Sequence, residues 1–226
     1  MKFIRDRVLF SVVQNYLESH DKFTIVGPLT HSELYQYLLI QKVRNLRQRE
    51  ASINSPYLLD QAQVEIENEL QIDERSYHFI IFNNGDLAAS VRLTPAPYEA
   101  SRLTPGQIED NKYGNFLEFS RLITNSEMKD RSTPAMLLLI KAGLWCLSET
   151  THSGIFGLCK IKRVRFLSRF GLKPLAESLS IPNRGDGYSL MSANREELLT
   201  FFSDQFLSIK PFQYLANSYQ SLRKSL

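Results

Sequence analysis

The 226-residue sequence predicts an α+β fold in which a mixed, mainly antiparallel sheet is flanked by helices. Three observations carry this. Two β-prone runs, Tyr77 to Phe82 and Leu87 to Leu93, are joined by Asn83-Asn84-Gly85-Asp86, and Asn-Gly marks a tight hairpin because both residues tolerate positive φ. The stretch from Phe116 to Cys159 reads strand, helix, strand, a connection that places two strands parallel. Residues 4 to 18 repeat apolar positions at three- and four-residue spacing, as an amphipathic helix does.

After that first helix, Phe23-Thr24-Ile25-Val26 is a short strand closed by Gly27-Pro28, and Thr30-His31-Ser32-Glu33 has the spacing of a capping box opening a helix over 31 to 49. Ser55-Pro56 starts a second helix that the acidic run through Glu69 carries to about Leu70. The hairpin follows. Residues 95 to 114, with Pro95, Pro97, Pro105, Gly106 and Gly114, read as a long loop. Phe116 to Ile123 is a strand whose alternation puts Glu118 and Ser120 on one face and Leu117 and Phe119 on the other, with Arg121 falling on the Leu117 side. Ser132-Thr133-Pro134 opens a helix, Gly154 to Cys159 is the next strand, a basic helix spans Lys160 to Phe170 with Gly171 as its stop, and strands at 173 to 180 and 187 to 192 close the fold.

With 43% hydrophobic and 23% charged residues and no linker composition, the chain reads as one domain. Its net charge of +3 is too small to name a partner. Cys146 and Cys159 lie in apolar runs, as a reduced pair in a cytoplasmic protein would. No apolar run is long enough to span a membrane, and Lys2, Arg5, Asp6 and Arg7 occupy the place where a signal peptide would begin its apolar core. The four histidines are scattered, so no metal site is expected.

The segment Glu118-Phe119-Ser120-Arg121 places a carboxylate, a hydroxyl and a guanidinium on one central strand. A carboxylate held among donors can take a proton from an attacking amine, and an arginine can fix an acidic group bidentately. A buried Glu–Arg pair joining sheet to helices would use the same residues. Arg92 closes the hairpin and Asp73 precedes it, so three charges can meet at one end of the sheet, although each alone also suits an edge strand or a loop. Ser132 and Thr133 stand at a helix start, where free amides can hold one phosphate. Lys160, Lys162, Arg163, Arg165 and Arg169 form the densest basic cluster: a solvated face, a dock for an acidic protein, or a phosphate-binding surface for nucleic acid, the last without any accompanying recognition motif. Met136, Leu137, Ile140 and Trp145 could line an acyl pocket or be plain core.

These residues carry a resemblance. Ile72-Asp73 with Tyr77 to Ile81, Gly85-Asp86-Leu87 through Arg92-Leu93-Thr94-Pro95, Leu117-Glu118-Phe119-Ser120-Arg121-Leu122, and Arg165 to Gly171 together resemble the acyl-homoserine-lactone (autoinducer) synthases, whose fold is related to the N-acetyltransferases. The resemblance covers roughly residues 23 to 192, an acyltransferase-like core between an N-terminal helix (1–20) and a C-terminal helical extension (193–226). It implies quorum-sensing signal synthesis from S-adenosylmethionine and an acyl-phosphopantetheine thioester as substrates, with no cofactor, and acyl carrier protein as partner. Asp73, Arg92, Glu118 and Arg121 fall on the family's charged positions. The implied roles are catalysis for Glu118, Asp73 and Arg92, substrate binding for Arg121, Ser120, Ser132 and Thr133, and carrier docking for the 160–169 cluster. The sequence departs where the family has a second Asp, here Leu70, and an early-helix Arg, here near Leu39 or Ile40, with Arg44 and Arg47 out of register. An N-acyl amino acid synthase of the same fold is the alternative, and a DNA- or protein-binding module using the basic helix is a reading of another class.

Overall fold

The computed structural model describes residues 2–54, 63–106, 113–181 and 185–207. In chain order the elements are α1 (Lys2–Glu18), β1 (Phe23–Leu29), α2 (Leu34–Asn54), α3 (Gln63–Glu74), β2 (Tyr77–Asn83), β3 (Asp86–Thr94), α4 (Glu99–Leu103), β4 (Phe116–Thr124), α5 (Ser132–Glu149), β5 (Gly154–Lys160), a 3-10 turn Ile161–Arg163, α6 (Val164–Ser168), β6 (Lys173–Ile181), β7 (Gly185–Asn194), α7 (Arg195–Phe202) and a π turn Ser203–Leu207. The strands form one sheet in the order β1-β2-β3-β4-β5-β7-β6. All neighbours are antiparallel except β4 and β5, the parallel pair joined through α5.

Alternation along the strands divides the molecule. Phe79, Ile81, Val91, Leu93, Leu117 and Phe119 point to one face, where α1, α5 and α7 bury Leu9, Val13, Leu137, Leu138 and Phe202 against them. Each such side chain contributes about 1.5–3 kcal/mol on burial, so this apolar side carries most of the stability. On the opposite face α2 lays Leu39, Ile40 and Val43 on Ile80, while His78, Arg92 and Glu118, the polar partners in the alternation, are buried nearby. Buried ion pairs add little net stability over an apolar core. Their presence here needs another reason.

Two local features shape that face. β3 and β4 pair as Ser90 with Ile123 and Arg92 with Ser120, so β4 carries one extra residue, and Arg121 sits in the bulge at φ 53°. The β4–β5 ladder ends at Glu118–Phe156, although β4 continues to Thr124 and β5 to Lys160, which splits the sheet at that end. Gly157 stands at the split, where a Cβ would lie 2.2 Å from the Phe119 carbonyl oxygen.

Several expectations are revised. The segment read as a loop over 95 to 114 contains α4. Helix α3 runs on to Glu74, which puts Asp73 in its last turn rather than in a loop; the Ser55-Pro56 start lies outside the described residues. The basic stretch is not one helix, since Lys160 ends β5 and the 3-10 turn separates it from the five-residue α6. β7 reaches Asn194, whose side chain and Glu197 form a reciprocal capping box, so the C-terminal extension begins as α7; residues 208–226 lie outside the described chain. No described helix is long and apolar enough to cross a membrane.

Candidate active site

The charged residues meet on the α2 side of the sheet. Asp73, 1% exposed, is placed by the last turn of α3. Its Oδ1 accepts from Arg92 at 2.7 Å and from Arg47 at 2.9 Å, and its Oδ2 from Arg44 at 3.0 Å. Burial alone would raise the Asp73 pKa; the Arg47 and Arg92 guanidiniums reverse this and hold it well below the carboxylate range. His78, opposite Arg92 in the β2–β3 ladder, donates through Nε2 to the Asp73 carbonyl at 3.0 Å and presents Nδ1 to Arg47 at 3.4 Å. Burial and then the Arg47 charge lower its pKa to about 3, so the ring is neutral.

Arg92 is fully buried and uses its whole fork: Nε to Ser120 Oγ at 3.0 Å, one terminal nitrogen to Asp73, the other to Glu99 Oε2 at 2.6 Å. The second Glu99 oxygen accepts from Arg121 at 2.8 Å, and Arg121 Nε reaches Glu69 at 3.0 Å. The bulge therefore turns Arg121 off the Leu117–Phe119 face, where strict alternation had put it, and onto the side of Glu118 and Ser120. Its partners are Glu99 and Glu69, not Glu118.

Glu118, 3% exposed, accepts from the Glu99 amide at 2.7 Å and the Ala100 amide at 3.0 Å, capping the first turn of α4 from a distant strand. Burial and then the Glu99 charge raise its pKa to about 7, against the pull of Arg92 and the two amides. Arg44, Arg47, Arg92 and Arg121 thus face Asp73, Glu69, Glu99 and Glu118 in one connected network. Its chemistry is that of a carboxylate able to exchange a proton near neutrality, beside guanidiniums that can hold an acid.

The structure brings Asp73, Arg92, Glu118, Ser120 and Arg121 together but not the other candidates. The α5 start is already capped: Asp130 Oδ1 accepts from the Ser132 amide and hydroxyl and from the Thr133 amide, each at 3.1 Å, so those amides are not free for a phosphate. Leu137 and Ile140 are buried in the main core with Met136 packed against it, and Trp145 lies on Tyr77 and Phe79 at ring distances of 4.6 and 5.5 Å. They are packed core. Lys162, Arg163, Arg165 and Arg169 are exposed, with Lys160 half-buried, and the cluster stands past the end of β5 beside the split in the sheet. A surface groove of about 880 Å³ lies between α2, the Asn83–Asp86 turn and the 125–130 segment that leads into α5. Among the described residues no three His, Cys, Asp or Glu side chains gather as metal ligands.

Sequence reasoning missed Glu99, Glu69 and His78 as members of the network and put Arg44 and Arg47 out of register. Glu69, four residues before Asp73 and so on the same face of α3, meets Arg121, while Leu70 points outward at 39% exposure. For Arg47 a signal existed: with Ile40 and Val43 it continues the inner face of α2, where a charge needs a partner. Glu99 had none, because a five-residue helix is too short for periodicity to show.

No protein-family model matches the sequence, and no curated protein matches it. Solved structures match its fold. FeeM, an N-acyl amino acid synthase from uncultured soil microbes, aligns at TM-score 0.56 and 12% identity over 78% of this chain and 93% of its own. BjaI, a CoA-dependent acyl-homoserine lactone synthase, aligns at 0.56 and 13% over 81% and 89%. An acyl-CoA N-acyltransferase from Pseudomonas aeruginosa aligns at 0.52 and 11% over 75% and 99%. At these identities the likeness is one of fold: the chain has the mixed α+β architecture of the GNAT-like acyltransferases.

Proposed function

We propose that the chain is an N-acyltransferase that makes an acyl-homoserine lactone from S-adenosylmethionine and an acyl carrier protein thioester. The observation that carries this is Glu118, a buried carboxylate with a proton affinity near neutrality, on the central strand where β4 and β5 part and within a network of paired arginines. In the reaction the amine nitrogen attacks the thioester carbon and the thiolate leaves. Glu118 takes the ammonium proton through water. The β4 amides past Glu118, no longer laddered to β5, are the oxyanion donors we assign. The carboxylate of the homoserine moiety then displaces the sulfonium at its γ-carbon, closing the lactone and releasing methylthioadenosine. Asp73 and Arg92 position the amine substrate, and Arg121 orders Glu99 beside Glu118.

A second reading, N-acylation of a free amino acid, is favoured by the equal likeness to FeeM and by Leu70 and Leu39 at the positions where the resemblance departs. Mass spectrometry of organic extracts from cells expressing the chain separates the two: acyl lactones support the first, acyl amino acids the second, and neither argues against both.

Two expected results follow here. Because the Glu118 pKa is raised, the proton-accepting form is scarce well below pH 7 and dominates above it. The rate of acyl transfer should climb with pH through about 7, and a pH–rate profile flat from 5 to 8 would remove Glu118 as the base. The second concerns the exposed basic cluster, which suits an acidic carrier. Charge reversal at Lys162, Arg165 and Arg169 should raise the apparent KM for the carrier thioester, with a defect that shrinks as salt is added and leaves saturated turnover intact, since such steering is screened over roughly 8–10 Å. A small acyl-pantetheine donor should be indifferent. Equal losses with both donors, or tight salt-sensitive DNA binding by the wild type, would contradict carrier docking.

A further inference from the structure

Glu50 is a buried carboxylate that the mechanism above does not use. It is 6% exposed and lies on α2 three residues past Arg47 and six past Arg44, on the helix side that faces the sheet. Its Oε1 accepts from the Ser126 amide at 2.8 Å and from the Ser126 hydroxyl at 2.9 Å, with the Arg49 guanidinium 3.8 Å away. An apolar residue at this position would extend the Leu39, Ile40, Val43, Leu46 face without desolvating a charge. The carboxylate instead grips a loop.

That loop, residues 125–131, leaves β4 at the end where the sheet is split and leads into α5. It is fastened at both ends by its own neighbours: Asn125 donates its amide to Ala88 O at 2.8 Å and its side chain to Leu87 O at 3.2 Å, Arg131 donates to the Ser126 carbonyl, and Asp130 caps α5. Arg49 and Glu127 add an exposed ion pair at 3.5 Å. Glu50 is a buried connection from this loop to α2, and α2 also carries the arginines that hold Asp73. Charge-assisted bonds to a buried carboxylate are the strong kind.

We propose that Glu50 is a positioning residue for the thioester substrate: through Ser126 it fixes the loop at the split end of the sheet, and through the rigid α2 it registers that donor side against the amine-side arginines. The proposal rests on the acyl-transfer reading. Glu50→Ala should raise the thioester KM about tenfold, the equivalent of losing one charge-assisted bond, while kcat and the amine KM stay within about twofold. Tryptic cleavage after Lys129 and Arg131 should quicken, a readout independent of activity. Glu50→Gln, whose amide oxygen can still accept both Ser126 bonds, should restore both values. An unchanged thioester KM, or equal shifts in both KM values and kcat, overturns the assignment. Should Glu50→Ala not fold, Ser126→Ala removes only the hydroxyl bond and should raise the thioester KM about threefold, no rise again overturning it. A wild-type protein that transfers no acyl group from any thioester defeats the acyl-transfer reading itself, and that is seen before any variant is compared.

Discussion

Glu118→Gln is expected to fold and to lose product formation by about 10²–10⁴-fold, the range for removing a general base. The glutamine oxygen can keep one of the two α4 amide bonds, at 2.7 and 3.0 Å in the wild type, so the first turn of α4 stays capped. What disappears is the ability to take a proton, together with the rise in rate through pH 7. Turnover close to the wild type with unchanged substrate KM values would remove Glu118 from the chemistry and leave it as a cap.

The largest loss of stability is expected for Asp73→Ala. This carboxylate is the shared acceptor of Arg44, Arg47 and Arg92, and Arg92 is fully buried. Removing it leaves guanidinium charge uncompensated in a low-dielectric site, which costs about 3–5 kcal/mol and should lower Tm by about 10 °C in a domain of this size. The amine KM should rise as well, measured at a temperature where the variant remains folded. A Tm within a degree of the wild type would mean that the network is wetter and looser than the distances state. A stability loss with normal amine KM would make Asp73 a structural residue only.

Much of the architecture could be read from residue patterns, and the reasons it could not be read further are local. The Asn84-Gly85 turn announces β2 and β3, and both residues do take positive φ, 51° and 92°. The parallel relation of β4 and β5 follows from the helix between them. Arg121 defeats the period-two argument because a single extra residue in β4 rotates it to the other face, and a bulge leaves no mark in a pattern of alternation. Asp73 lies in the last turn of α3, which runs to Glu74, four residues past the end near Leu70 that the acidic run suggests. The inner face of α2 held a usable signal in Arg47 and Glu50, charges at positions where Ile40 and Val43 set the spacing. The candidate phosphate site at Ser132 and Thr133 fails because Asp130, two and three residues upstream, supplies the acceptor itself.

The most direct test of acyl transfer in the Glu118 network is a reaction of the purified protein with an acyl carrier protein thioester and S-adenosylmethionine, followed by mass spectrometry and thiol titration. The account predicts an acyl-homoserine lactone, with one free thiol released per product and neither formed by Glu118→Gln. A thioester that stays intact with S-adenosylmethionine and with free amino acids alike would contradict it.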